Sequence, residues 1–339
     1  MKILLYFESE SLLKTSGIGR ALKHQMKALD YHNINYTTDP NDYFDILHIN
    51  TYGLNSKNII NKAKKENKPI VYHGHSTEED FKNSFIFSNT LSPIVKLRLV
   101  SLYNMADHII TPTQYCKDIL IGYDIDKDIS VISNGIELDK YEYDIDKIIA
   151  FYKYFGLSKE DKIIISVGLY FERKGIIDFI RIAEKCPDIT FIWFGYISNF
   201  LIPKNVQDIL NDYPKNVILP GYVEGVIIQG AYLAADSFLF LSYEETEGIV
   251  VLEALASKQN IILRDIPVYN GWMIDKYNCY MGNNIDDFID LINKACNKEL
   301  LDLSDNGYST INERTLDKIG YQLKCIYERL LNEKNKKNN

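Results

Sequence analysis

Short apolar runs recur along the chain, each followed by a longer stretch of mixed polarity. Lys2–Phe7, Asn35–Thr38, Ile46–Ile49, Pro69–His73, Ile109–Thr113 and Val131–Asn134 read as strands. The rhythm restarts at Lys162–Val167 and continues through Thr190–Gly195, Val217–Gly221, Ser237–Leu241 and Ile261–Leu263. Brief strands alternating with helical stretches predict α/β domains built on parallel sheets with helices on both faces. Ligands of such sheets bind beyond the carboxyl ends of the strands. Residues 138–161, rich in Asp, Lys and Tyr, read as a linker with a lead-in helix. That puts one domain at 1–137 and a second at 162–315. A last helix from Leu316 to about Leu331 precedes a tail expected to fray.

One stretch organises the rest: Ser242–Ser257, SYEETEGIVVLEALAS. Its polar loop, with Glu244, Glu245, Thr246, Glu247 and Gly248, runs straight into an apolar helix, Ile249–Ala256. The N–H groups around Gly248, Ile249 and Val250, at the positive end of the helix dipole, suit a diphosphate. Glu253, about one turn in, is placed to accept from a pair of sugar hydroxyls, and Glu245 from a second sugar. Arg173-Lys174-Gly175, between a strand and the next helix, brings two cations suited to phosphate oxygens.

Other motifs narrow the reading. Ser16-Gly17-Ile18-Gly19-Arg20 opens the first helix, and Gly17 and Gly19 let backbone amides approach a ligand closely. Leu22 stands where a dinucleotide fingerprint needs its third glycine, which argues against a nicotinamide enzyme. His73 and His75 follow a strand, with Glu78, Glu79 and Asp80 nearby, yet no third metal ligand is compelling. The two Asp-Ile-Asp triplets, at 124–126 and 144–146, sit in polar turns and read as solvated charge. No metal is expected.

With 339 residues, 46% of them hydrophobic, the chain is long enough for two full cores. The net charge of −8 excludes a general nucleic-acid binder. Residues 1–120 hold 14 Lys and Arg against 12 Asp and Glu, so the acidity lies in the remainder. In this more basic part, Lys57, Lys62, Lys64 and Lys65 cluster on one predicted helix. Lys96 and Arg98 punctuate the apolar run Leu91–Met105. Together these suit contact with an anionic membrane surface. Five scattered cysteines suggest a reducing compartment. The N-terminal apolar run is too short for a signal peptide, and no window reads as a membrane span. A cytoplasmic protein, peripheral on the inner face of the membrane, is expected.

The E-x7-E spacing of Glu245 and Glu253 before an A-L-A helix resembles the signature of the retaining GT4 glycosyltransferases. SGIGRA, HINTYGL, HGHSTEEDF, FIWFG and RDIPVYNGW extend the likeness over essentially the whole chain. Within GT4 the chain is similar to Gram-positive enzymes that add a second hexose to monoglucosyl-diacylglycerol. The resemblance implies a GT-B fold, two Rossmann-like domains facing a cleft, with the last helix crossing back to the first domain. It implies UDP-glucose or UDP-galactose as donor, monoglucosyl-diacylglycerol as acceptor, and no cofactor. By the same likeness Glu253 holds the ribose, Glu245 the donor sugar, and Lys174 the departing diphosphate. Tyr222 and Val223 hold the base, and His75, with His73 as the second match, orients the transferred sugar. The family's Gly-Arg phosphate contact is Gly168-Leu169 here, so that contact is either missing or supplied by Arg173. An acceptor in a soluble or polyprenyl-linked glycan is the alternative.

Overall fold

The computed structural model describes residues 1–8 and 16–338, with side chains to residue 336. In chain order the first half gives β1 (Lys2–Tyr6), α1 (Gly17–Tyr31), β2 (Asn35–Thr37), β3 (Ile46–Ile49), α2 (Ser56–Lys65), β4 (Ile70–His73), α3 (Ser88–Tyr103), β5 (His108–Thr111), α4 (Gln114–Ile121) and β6 (Ile129–Val131). The second half gives α5 (Ile145–Phe155), β7 (Ile163–Val167), α6 (Ile176–Lys185), β8 (Thr190–Phe194), α7 (Lys204–Asn211), β9 (Val217–Gly221), α8 (Val226–Ala234), β10 (Ser237–Phe240), α9 (Ile249–Ala256) and β11 (Ile261–Arg264). It ends with β12 (Tyr280–Gly282), α10 (Ile285–Cys296), α11 (Ser304–Thr310) and α12 (Leu316–Asn338).

Two compact units result. One comprises Met1–Phe81, Thr90–Ile136 and Glu313–Asn339; the other comprises Lys82–Asn89 and Glu137–Asn312. Each holds a six-stranded sheet, in the order β2-β1-β3-β4-β5-β6 and β12-β11-β10-β7-β8-β9. Every strand pair is parallel. The central strands are apolar and buried along their whole length because helices cover both faces, so they read as runs rather than alternations.

In the first unit α12 packs against α1, its Leu316, Ile319, Leu323, Ile326 and Leu330 joining Leu22, Ala28 and Leu29 in one core. A Cβ on Gly320 would lie 2.1 Å from the Ala28 carbonyl, so only glycine lets the two helices cross this closely. In the second unit Phe179, Phe191 and Trp193 pack edge-on at the centre of the core.

Three expectations differ from what is seen. Residues 138–161 are no free linker: a 3₁₀ turn, Leu138–Tyr141, leads into α5, and a Cβ on Gly230 of α8 would touch the Lys147 carbonyl of α5. Lys82–Asn89 belongs to the second unit, tied there by Arg173 N–H to the Asn83 carbonyl and Ile86 N–H to the Leu201 carbonyl. The tail expected to fray continues α12 to Asn338.

Candidate functional site

The strand order of the second unit puts β7 beside β10, with the chain leaving them towards opposite edges of the sheet. At such a switch point the two outgoing loops diverge and open a crevice. Here the loops are 168–175, after β7, and 242–248, after β10. They are stitched together: Tyr243 N–H donates to the Arg173 carbonyl at 2.7 Å, and Ser242 Oγ to the same oxygen at 3.2 Å. Gly175, at φ +83°, passes so close to β10 that a Cβ would lie 2.4 Å from the Leu241 carbonyl. That close passage aims the Lys174 ammonium at the Glu245 carboxylate, with which it forms a largely buried ion pair.

From Glu245 the chain runs through Thr246, half-buried, to Gly248, which caps α9 at φ +84° with no side-chain hydrogen bond. Val251 N–H turns back to the Gly248 carbonyl. The amides of Ile249 and Val250 have no acceptor within the helix, as its geometry requires. Glu253 lies one turn on, buried, and its Oε2 accepts from Tyr232 Oη on α8 at 2.9 Å. Lys174, Glu245, Glu253 and the α9 amides are therefore gathered by one loop pair and the helix that follows it. Tyr222 and Val223 follow β9; Tyr222 is exposed, its hydroxyl on Glu224 at 3.1 Å.

Arg173 differs from expectation. Its Nε donates to Ser84 Oγ at 2.7 Å and its Nη1 to the Glu244 carbonyl at 3.2 Å, so this side chain braces the E-x7-E loop against 82–89. Through Nε and Nη1, Arg173 thus serves the protein's own loops as well as lying beside Lys174 in sequence. The loop has a second brace in Arg264 of β11. That side chain bonds the Leu241 carbonyl at 3.0 Å and Asp178 at 2.6 Å, and lies 3.9 Å from the Tyr243 ring centre.

One residue was missed in the sequence. Tyr269 is fully buried, its hydroxyl has no partner among the described residues, and it lies 3.4 Å from where a Gly248 Cβ would be. Burial first, and the Glu245 charge second, hold it firmly protonated. It is thus a hydrogen-bond donor stranded beside the start of α9, and such orphaned groups require an explanation. RDIPVYNGW contains it, but nothing in that string says that the Tyr side chain turns back towards Gly248.

The first unit carries the other candidates. Gly17 and Gly19 open α1, with no described residue within 4 Å of where a Gly17 Cβ would be and the Gly19 amide capped by Ser16 Oγ at 3.3 Å. His75, past the end of β4, is buried and stacked on His73 at 3.9 Å. Lys57, Lys64 and Lys65 are exposed on α2, whereas Lys62 reaches the Pro40 carbonyl at 2.9 Å. Lys96 lies over the Tyr123 ring and near Glu78. Arg98 is spent on the loop before α2, donating to the Gly53 carbonyl at 2.6 Å. That bond holds Leu54, 87% exposed, beside α3, where Leu91, Ile94 and Leu97 also face solvent. Among the described residues no group of three His, Cys, Asp or Glu is placed to hold a metal, and no helix is long and apolar enough to cross a membrane.

Residues 28–140 match the family described as Glycosyltransferase Family 4, and residues 151–310 match Glycosyl transferases group 1. The chain is 45% identical, over 98% of its length and 99% of the relative's, to a processive diacylglycerol alpha-glucosyltransferase of Acholeplasma laidlawii. It is 29% identical to an alpha-galactosylglucosyldiacylglycerol synthase of Streptococcus pneumoniae, over 70% of this chain and 65% of that one. Among solved structures, sucrose-phosphate synthase of Thermosynechococcus elongatus superposes with a TM-score of 0.81 at 14% identity, covering 98% and 100% of the two chains. Anabaena HepE in complex with UDP and glucose gives 0.76 at 16%, covering 97% and 99%. These likenesses show the GT-B fold.

Proposed function

The chain belongs to the group 1 glycosyltransferases, with a family 4 N-terminal domain, and from that membership we propose that it builds a membrane glycolipid. A hexose moves from a UDP-sugar onto monoglucosyl-diacylglycerol, giving a diglycosyl-diacylglycerol. The observation that carries the reading is the meeting of Lys174, Glu245 and Glu253 at the start of α9, in a chain closely similar to a diacylglycerol glucosyltransferase.

In this reading the diphosphate sits on the free amides of α9 beside Lys174, which stabilise the charge that grows on it as the glycosidic bond breaks. Glu253 accepts from the ribose hydroxyls, its second partner Tyr232 fixing the carboxylate. Glu245 accepts from the hexose, and His75 from a sugar hydroxyl. Lys174 is the cation that meets the leaving group, with the α9 amides beside it, and the reading assigns no part to a metal. The name of the Acholeplasma relative makes glucose the sugar we favour. On the first unit, the exposed Leu54, Leu91, Ile94 and Leu97, together with Lys57, Lys64 and Lys65 on α2, suit an anionic lipid surface, with the apolar side chains entering the headgroup layer.

The test is transfer of label from UDP-glucose, and separately UDP-galactose, to vesicles containing monoglucosyl-diacylglycerol or bare diacylglycerol. Label in a diglycosyl lipid from one donor supports the reading. Donor binding without lipid label overturns the lipid acceptor and favours a soluble or polyprenyl-linked glycan.

A further inference from the structure

The first unit has a switch point of its own, where β1 lies between β2 and β3. At its strand ends lies a buried polar cluster of three histidines, a glutamine and an asparagine. His48, His73 and His75 stack in a column, His48 on His73 at 5.4 Å and His73 on His75 at 3.9 Å, each pair within 9° of parallel. All three are buried, with Gln25 of α1 and Asn50, just past β3, beside them.

With the Gln25 and Asn50 amides oriented as they are in the structure, the hydrogen bonds set where each proton sits. Gln25 Nε2 can only donate, and it reaches both Asn50 Oδ1 at 2.8 Å and His73 Nδ1 at 2.7 Å. His73 Nδ1 is therefore an acceptor. Asn50 Oδ1 also faces His75 Nε2 at 3.0 Å, and because this oxygen can only accept, His75 must carry its proton on Nε2. Its Nδ1 keeps the lone pair. Unlike Nε2 of His48 and His73, this nitrogen is not among the sealed, unpartnered atoms. Burial holds the ring neutral, so the lone pair is not lost to a proton.

We propose that Asn50 and Gln25 are positioning residues that lock His75 as the Nε2–H tautomer, so that Nδ1 accepts a hydrogen bond from a hydroxyl of the sugar substrate. This rests on the glycosyltransferase reading for the identity of that hydroxyl, but the tautomer does not. A ring free to switch tautomer would at times carry its proton on Nδ1, where it could no longer accept from the hydroxyl. Asn50 and Gln25 remove that alternative, and the stack of His73 beneath fixes the plane of the ring.

The test reads the ring first and turnover second. Long-range ¹H–¹⁵N spectra of the full chain, with His75 assigned by its loss in His75→Gln, should show a pyridine-type Nδ1 and a pyrrole-type Nε2. Asn50→Asp keeps an acceptor at the same place but adds a charge. It should raise the protonation of His75, so that activity falls at least about tenfold on going from pH 8 to pH 6 while wild type changes little, with most activity kept at pH 8. Asn50→Ala should blur the two nitrogen signals and lower kcat with little change in the KM for UDP-hexose. Turnover is read as loss of UDP-hexose, so failure to find the lipid acceptor leaves the result interpretable. A pyrrole-type Nδ1 in the wild-type ring, or wild-type pH behaviour in a folded Asn50→Asp protein, would overturn the proposal.

Discussion

The Lys174 ammonium pairs with the Glu245 carboxylate although 71 residues separate them in the chain. The pair exists because β7 and β10 are neighbours in the sheet, and it sets a cation and an acceptor side by side before the amides of α9. Lys174→Met removes the mobile charge that meets the leaving diphosphate. The expected result is a kcat lower by about 10²–10³ with a smaller change in UDP affinity. Steady-state kinetics with UDP-glucose and a direct UDP titration separate the two effects.

Tyr269→Phe should split stability from binding. The buried hydroxyl has no partner among the described residues, so deleting it is expected to stabilise by up to about 1 kcal/mol. If the hydroxyl meets the donor beside Gly248, UDP-sugar affinity falls about five- to tenfold, the worth of one hydrogen bond. A lower melting temperature with unchanged affinity would refute this role.

Acid should unfold the first unit. His48 and His75 are buried neutral, burial being the main cause, with protonation pushed down from 6.5 to about 3. Between those values the unfolded chain binds protons that the native chain does not. Their contribution is complete above pH 6.5 and is lost as pH falls towards 3. Each accounts for about 1.4 kcal/mol per pH unit at most. Urea titrations across this range should show stability falling with acid, and His48→Gln should flatten the slope by about one proton.

The membrane reading makes a separable demand. Ile94 and Leu97 are 65% and 71% exposed on α3, so replacing both with Ser removes apolar surface without opening the core. Sedimentation with phosphatidylglycerol vesicles should weaken at least about tenfold, while UDP affinity stays as it was. Equal vesicle binding by the double variant would remove this face from the account.

The central strands were legible because burial on both faces makes each a continuous apolar run ending at a glycine or polar turn, as in Thr190–Phe194. The strand β12 was not, since Tyr280–Gly282 is three residues long and joins only the sheet edge. Helix α5 was legible as a lead-in helix but not in its bounds, which Asp144 sets as cap and Gly156 as end at φ +68°. Lys174, Glu245, Glu253 and Gly248 could be picked out because a loop-to-helix junction dictates its own chemistry. Arg173, Tyr269, Gln25 and Asn50 could not be placed from spacing. Their roles depend on contacts such as Arg173 to Ser84, 89 residues away, that only the folded chain creates.

The most direct test of the whole account is the proton NMR spectrum of the lipid made from UDP-glucose and vesicles of monoglucosyl-diacylglycerol. The expected product carries one additional hexose in α linkage, the configuration of the donor. A β-linked product would contradict retention at the anomeric carbon, and free glucose with unchanged lipid would contradict the proposed acceptor.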